Sequence, residues 1–233
     1  MILIKIIYSI VVYFRNIFYD WGVFGEHRSR IPIISVGNIT TGGTGKTPFV
    51  IFLANYFKKQ GLNPLIITRG YRRKSKKQIV LTSNHSYTAD YVGDEPFLMA
   101  KMCPDVDVII NQNRVEATTW AESAQKEYNV IILDDAFQSL YINKHSDIVL
   151  FNCLHSKETF NLLPAGLLRE PIHSILRAQL VVFTKYNLLT SSNFPDPAQA
   201  VLQLVKQNNI PYLFAEHRSR CVQYCLNTHT LNN

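Results

Sequence analysis

Ile33-Ile34-Ser35-Val36-Gly37-Asn38-Ile39-Thr40-Thr41-Gly42-Gly43-Thr44-Gly45-Lys46-Thr47-Pro48 is the stretch on which the reading of this chain turns. An apolar run of strand length leads into glycines, and a helix start follows them. Glycines in that position let backbone N–H groups turn inward as an anion nest, and the helix N-terminus adds its dipole. In the phosphate-binding pattern G-x-x-x-x-G-K-[ST], the lysine reaches the β- and γ-phosphates and the hydroxyl residue holds magnesium. Here these are Lys46 and Thr47, and Thr40, Thr41, Gly42, Gly43, Thr44 and Gly45 supply the rest of the cradle. Thr40 stands where the pattern has its first glycine.

Outward from this loop, apolar runs of strand length recur at 31–36, 65–68, 79–81, 106–110, 130–133, 148–151, 180–183 and 212–214. Stretches of helical length lie between most of them, at 48–59, 95–102, 114–126 and 198–207. Strands without polar alternation, separated by helices, predict an α/β fold with a doubly wound, mostly parallel sheet of P-loop NTPase type. The run 130–133 ends in Asp134-Asp135, which puts hard oxygen ligands at the C-terminal edge of the sheet, where ligands of open α/β folds collect. Asp134 and Asp135 are therefore metal candidates beside Thr47.

The chain has 233 residues, 47% hydrophobic and 18% charged, which excludes a disordered or low-complexity protein. Its four cysteines show no C-x-x-C pair and are too few for a disulfide scaffold. The net charge of +7 is concentrated: Arg69, Arg72, Arg73, Lys74, Lys76 and Lys77 place six basic residues in nine positions. A broad nucleic-acid-binding surface would spread its charge more widely; one basic loop predicts an anionic partner met at one place, and a phosphate group, an anionic bilayer and a nucleic acid all fit that description. Residues 1–24 contain no uncharged run longer than the nine residues 6–14, far short of the ~20 that span a bilayer. On a helix, Lys5, Ser9, Asn16 and Asp20 form a narrow polar stripe and apolar residues cover the remainder, the pattern of a helix lying in a membrane interface.

Five motifs in order resemble the tetraacyldisaccharide 4'-kinases. They are the loop from Gly37-Asn38 to Pro48, Thr68-Arg69-Gly70-Tyr71-Arg72-Arg73, Val92-Gly93-Asp94-Glu95-Pro96, Asp134-Asp135-Ala136-Phe137-Gln138 and the run from Leu163 to Pro171. The resemblance implies an ATP- and magnesium-dependent kinase that phosphorylates the 4'-hydroxyl of the lipid A disaccharide 1-phosphate. It implies a peripheral place on the cytoplasmic face of the inner membrane of a Gram-negative bacterium, with no nucleic acid or protein partner. It further implies Asp94 as the residue that takes the proton of the attacking hydroxyl, Arg114 and Arg169 near the phosphates beside Lys46 of the loop, and Glu170 as an acidic residue of the same catalytic site. Gln138 is implied at the nucleotide, and Arg69, Tyr71 and Arg72 at the acceptor. Asp94 also has a purely local reading, as the N-cap of the helix that follows.

The sequence departs from the family at Ala136, where members usually have glycine, and at its end. Members continue into a second part that carries a histidine linked to the catalytic aspartate. The chain therefore divides into an interfacial helix (1–24), a P-loop kinase core (25–190) and the start of a truncated C-terminal part (191–233). His217, Cys221, Cys225 and His229 are spaced by four, which on a helix would align them for zinc, but the Asn and Thr residues around them disfavour that helix and with it a zinc site. Two further readings of function are a membrane-associated regulatory P-loop ATPase and a non-catalytic remnant of the kinase.

Overall fold

The computed structural model describes residues 2–71, 73–75, 77–83, 86–157, 160–189, 194–216 and 218. Arg72, and the spaced histidines and cysteines at 217, 221, 225 and 229, lie outside the described residues.

The chain opens with helix α1 (Ile2–Asp20). Strands β1 (Ile33–Gly37), β2 (Pro64–Thr68), β3 (Ile79–Leu81), β4 (Asp107–Ile110), β5 (Val130–Asp134), β6 (Ser146–Asn152), β7 (Leu180–Thr184) and β8 (Tyr212–Ala215) form one sheet in the order β3-β4-β2-β5-β1-β6-β7-β8. All neighbours are parallel except β3, which runs antiparallel to β4 at the edge. Helices α2 (Lys46–Lys59), α3 (Ala89–Val92), α4 (Asp94–Met102), α5 (Arg114–Ser123) and α6 (Asp196–Gln207) complete the chain, with a 3-10 turn at Ile172–Arg177.

The unalternating strands are buried because both faces are covered. Ile66 points into one layer, with Val50 and Leu53 of α2 and Met99 of α4. Its neighbours Leu65 and Ile67 point into the other, with Ala117 and Ala121 of α5. A third cluster under α6 joins Phe137, Phe151 and Phe183 to Val201 and Val205. Apart from the two alanines, each of these side chains contributes about 1.5–3 kcal/mol by leaving water. The central register matters most for the site: β1 lies between β5 and β6, with Val36 opposite Asp134 and Gly37 opposite Val149. The glycine loop therefore emerges at the same sheet edge as the two aspartates.

The end of one helix differs from expectation. Helix α5 stops at Ser123, because the chain beyond it turns so that the Lys126 ammonium and the Tyr128 hydroxyl both reach one oxygen of Asp107, each at 2.7 Å. Helix α3 and the 3-10 turn are too short to show a periodic pattern. In the stretch read as the start of a C-terminal part, α6 packs on the phenylalanine cluster and β8 extends the same sheet, with Val182 opposite Leu213.

In α1, Val12 is buried while Ile10, Val11, Tyr13, Phe14 and Phe18 are exposed, as is Trp21 just after it. Among the described residues no helix is long and apolar enough to cross a membrane.

Candidate active site

The phosphate loop is held from beneath by a set of side chains that includes Thr40 and Thr44, two residues the sequence assigned to the cradle. A Cβ on Gly37 would lie 2.5 Å from the Cβ of Phe137, so only glycine lets β1 end flush against the segment that follows the aspartates. The Asn38 side-chain amide donates to the Thr44 hydroxyl at 2.9 Å, and the Thr184 hydroxyl at the end of β7 donates to the Thr44 carbonyl at 2.9 Å. The Thr40 hydroxyl is turned inward, 3.2 Å from Nε2 of His155, which burial keeps below the ordinary imidazole range. The Thr41 N–H donates to the Leu167 carbonyl at 2.7 Å. Gly45 has φ of +85°, a left-handed turn that most other residues resist, and α2 begins directly after it. Lys46 and Thr47 thus open the helix, as the motif requires.

The carboxylates sit one strand away. Asp134 is 4% exposed and accepts a hydrogen bond from the Thr68 hydroxyl on one oxygen, at 2.9 Å. Its other oxygen is buried with no hydrogen-bond partner among the described residues. Burial, against the Thr68 hydrogen bond and with help from the negative charges of Asp135 and Glu95, pushes this carboxyl up to about 6. Asp135 adopts φ of +48°, a conformation that aspartate tolerates better than most residues. Its carboxylate lies 3.6 Å from Lys46 Nζ and accepts from Arg169 at 2.8 and 3.0 Å. Those cations outweigh its burial and hold it below the usual carboxylate range.

Arg114 is fully buried behind this pair and does not line the cleft. Its guanidinium donates to the backbone carbonyls of Asp134 and Asp135, at 2.6 Å each, and to the Ser139 hydroxyl at 3.0 Å. The expectation of a phosphate-facing arginine is corrected: Arg114 fixes the loop that carries the carboxylates. Gln138 is corrected likewise, since its amide donates to the Asn38 carbonyl at 2.8 Å and ties the two loops together. Glu170 is also placed elsewhere, fully buried between Arg15 and Arg177.

What remains converges on one cleft of about 620 Å³, bordered by Gly42, Lys46, Asp134, Asp135, Arg169 and Glu95, with Arg69 and Tyr71 at its rim. Asp94 borders a neighbouring cleft of about 510 Å³, which shares Tyr71 and Glu95 with the first. Gly93 and not Asp94 is the helix cap; Asp94 is the exposed first residue of α4. A third cleft of about 490 Å³, with Arg69, Arg73, Lys74 and Gln112, also meets at Tyr71. On the other side of the loop, Thr44, Gly45, Phe49, Phe52, Thr184 and Lys185 border a more apolar slot of about 320 Å³. Glu95 went unnoticed in the sequence beside Asp94, although it stands in the same Gly-Asp-Glu-Pro motif. The unpartnered buried oxygen of Asp134, with Asp135 and Glu95 near it, is a hard-oxygen set of the kind magnesium takes.

The sequence profile of one family, tetraacyldisaccharide-1-P 4'-kinase, matches residues 1–231. The chain belongs to this family. A tetraacyldisaccharide 4'-kinase from Chlorobaculum parvum is 37% identical over 219 residues, covering 89% of this chain and 57% of that protein. One from Aquifex aeolicus is 39% identical over 181 residues, covering 76% and 56%. A crystal structure of the "apo" form of LpxK from Aquifex aeolicus in complex with ATP superposes with a TM-score of 0.72 at 28% identity, over 92% of this chain and 80% of that one. The chain spans little more than half the length of these curated relatives. The departure from the kinase pattern at Ala136 has little local cost, because the left-handed residue is Asp135 and φ at Ala136 is not positive.

Proposed function

We propose that this chain binds ATP at 42–47 and transfers its γ-phosphoryl group to the 4'-hydroxyl of tetraacyldisaccharide 1-phosphate, the reaction for which its family is named. The observation that carries this reading is the convergence of Lys46, Asp134, Asp135 and Arg169 on one cleft beside Asp94. The ATP found in the Aquifex aeolicus relative supports it.

In this reading the triphosphate lies along the loop, and the base occupies the apolar slot against Phe49 and Phe52. Lys46 and the Arg169 guanidinium meet the β- and γ-phosphates, drawn partly away from Asp135. Asp134, Asp135 and the Thr47 hydroxyl would hold magnesium, which would supply neutralisation of the charge developing on the phosphates. The acceptor enters across Tyr71, and its 4'-oxygen attacks the γ-phosphorus while the bond to the β-bridging oxygen breaks and ADP leaves with that oxygen. Asp94 takes the hydroxyl proton. Catalysis rests on positioning and charge neutralisation, because the transfer needs no covalent enzyme intermediate.

Peripheral seating on the cytoplasmic face of the inner membrane belongs to the same proposal. The exposed apolar residues of α1 enter the interface, and the basic loop around Arg69, Arg73 and Lys74 faces anionic headgroups or the acceptor's 1-phosphate. Measuring ADP release with and without the lipid acceptor tests the function. The kinase reading predicts release that requires the lipid; release indifferent to it would favour a regulatory ATPase.

A further inference from the structure

Glu170 is a fully buried carboxylate outside the reaction cleft, and its two arginine partners are Arg15 of α1, remote in sequence, and Arg177, seven residues on. One oxygen accepts from Arg15 of α1 at 2.7 Å, and the other accepts from Arg177 at 2.7 Å. Its neighbour Arg169 is bound to Asp135, which in turn faces Lys46. The backbone of the same short segment is stitched to the phosphate loop. The Thr41 N–H donates to the Leu167 carbonyl at 2.7 Å, and the Arg169 N–H donates to the Ile39 carbonyl at 2.8 Å. Arg177 also lies with its guanidinium 4.6 Å over the ring of Phe137, the residue packed on Gly37. Residues 167–170 thus connect α1 to both walls of the nucleotide site, through hydrogen bonds and ion pairs with little room for independent movement.

From this geometry we infer that the bilayer acts as an allosteric effector: seating of α1 on an anionic membrane tightens nucleotide binding, with Arg15 as the coupling residue and Glu170 as a positioning residue. The inference rests on the nucleotide and membrane readings above and adds the link between them. Arg15 is the movable partner. It is 35% exposed, whereas Glu170 is 1% exposed and keeps Arg177 when Arg15 is lost. An anionic bilayer is the occupant that fits the exposed apolar residues Ile10, Val11, Phe14 and Phe18, because the chain carries a net charge of +7 whose surplus is the basic run at Arg69, Arg73, Lys74 and Lys77. Coupling of this kind is reciprocal, so nucleotide must tighten bilayer binding by the same factor.

The test uses the full chain, magnesium, the non-hydrolysable ATP analogue AMP-PNP, and vesicles of phosphatidylethanolamine and phosphatidylglycerol. Expected is an AMP-PNP Kd at least about fivefold tighter with vesicles than without. Arg15→Gln should match the unaltered chain without vesicles, still sediment with vesicles, and lose the tightening; Arg15→Lys should recover part of it. A vesicle-bound chain with unchanged Kd overturns the coupling, as does an Arg15→Gln variant that keeps the full tightening. Weaker AMP-PNP binding by Arg15→Gln in the absence of vesicles overturns it too, by reducing Arg15 to a structural role. The underlying readings fail separately: no AMP-PNP binding under any condition removes the nucleotide site, and no sedimentation removes the membrane seat.

Discussion

Asp134→Asn should stabilise the metal-free protein while abolishing its chemistry. The native site holds this carboxyl at about 6, against an ordinary value of 3.8, chiefly because it is buried. That difference corresponds to about 3 kcal/mol disfavouring the charged native form at neutral pH. The asparagine has no charge to bury and still accepts from Thr68. Its amide nitrogen, however, takes the place of the oxygen that has no partner, at a cost of about 1–2 kcal/mol. A net gain of about 1–2 kcal/mol remains. The sign follows from linkage: between 3.8 and about 6 the native state binds the proton that the unfolded chain has released, so stability of the unaltered protein falls as pH rises through that window and is flat above it. Urea unfolding in a metal chelator should therefore show the variant level with or slightly behind the unaltered chain near pH 4, and ahead above about pH 6. Millimolar magnesium should raise only the unaltered chain, by mass action on the folded state. An unaltered chain that equals or exceeds the variant near pH 8 without metal would refute the reasoning.

Arg114→Lys should cost about 2–4 kcal/mol in unfolding free energy, because an ammonium cannot donate in a fork to the Asp134 and Asp135 carbonyls, and kcat should fall more than ATP affinity. Gly37→Ala should cost about 1–3 kcal/mol by thermal or urea unfolding, since the added methyl meets Phe137. Asp94→Ala should lower turnover about 100-fold or more and leave AMP-PNP affinity near normal, measured by calorimetry beside steady-state kinetics.

The sheet and its phosphate loop were legible because both are local patterns. Apolar runs such as 65–68 and 130–133 mark strands, and glycines followed by Lys46-Thr47 mark a cradle on any α/β background. Asp134-Asp135 was legible for the same reason, as carboxylates at a strand end. The supporting residues were not, because their partners are remote in sequence. Arg114 acts on carbonyls 20 and 21 residues away, and Glu170 meets Arg15 across 155 residues. No spacing rule distinguishes such an arginine from one that binds phosphate. Asp94 and Glu95 show a finer limit: adjacent positions on a helix point about 100° apart, so a motif that contains both does not say which faces Asp134 and Asp135. The end of α5 was set by Asp107, a tertiary partner that the helical pattern could not reveal.

The most direct test of the central claim is to incubate this chain with ATP, magnesium and tetraacyldisaccharide 1-phosphate in detergent and identify the lipid product by mass and by phosphorus NMR. The expected result is a product heavier by one phosphate, esterified at the 4'-oxygen, and none from Lys46→Ala. A lipid left unchanged by the folded, ATP-binding chain, or a phosphate attached elsewhere on the disaccharide, would contradict it.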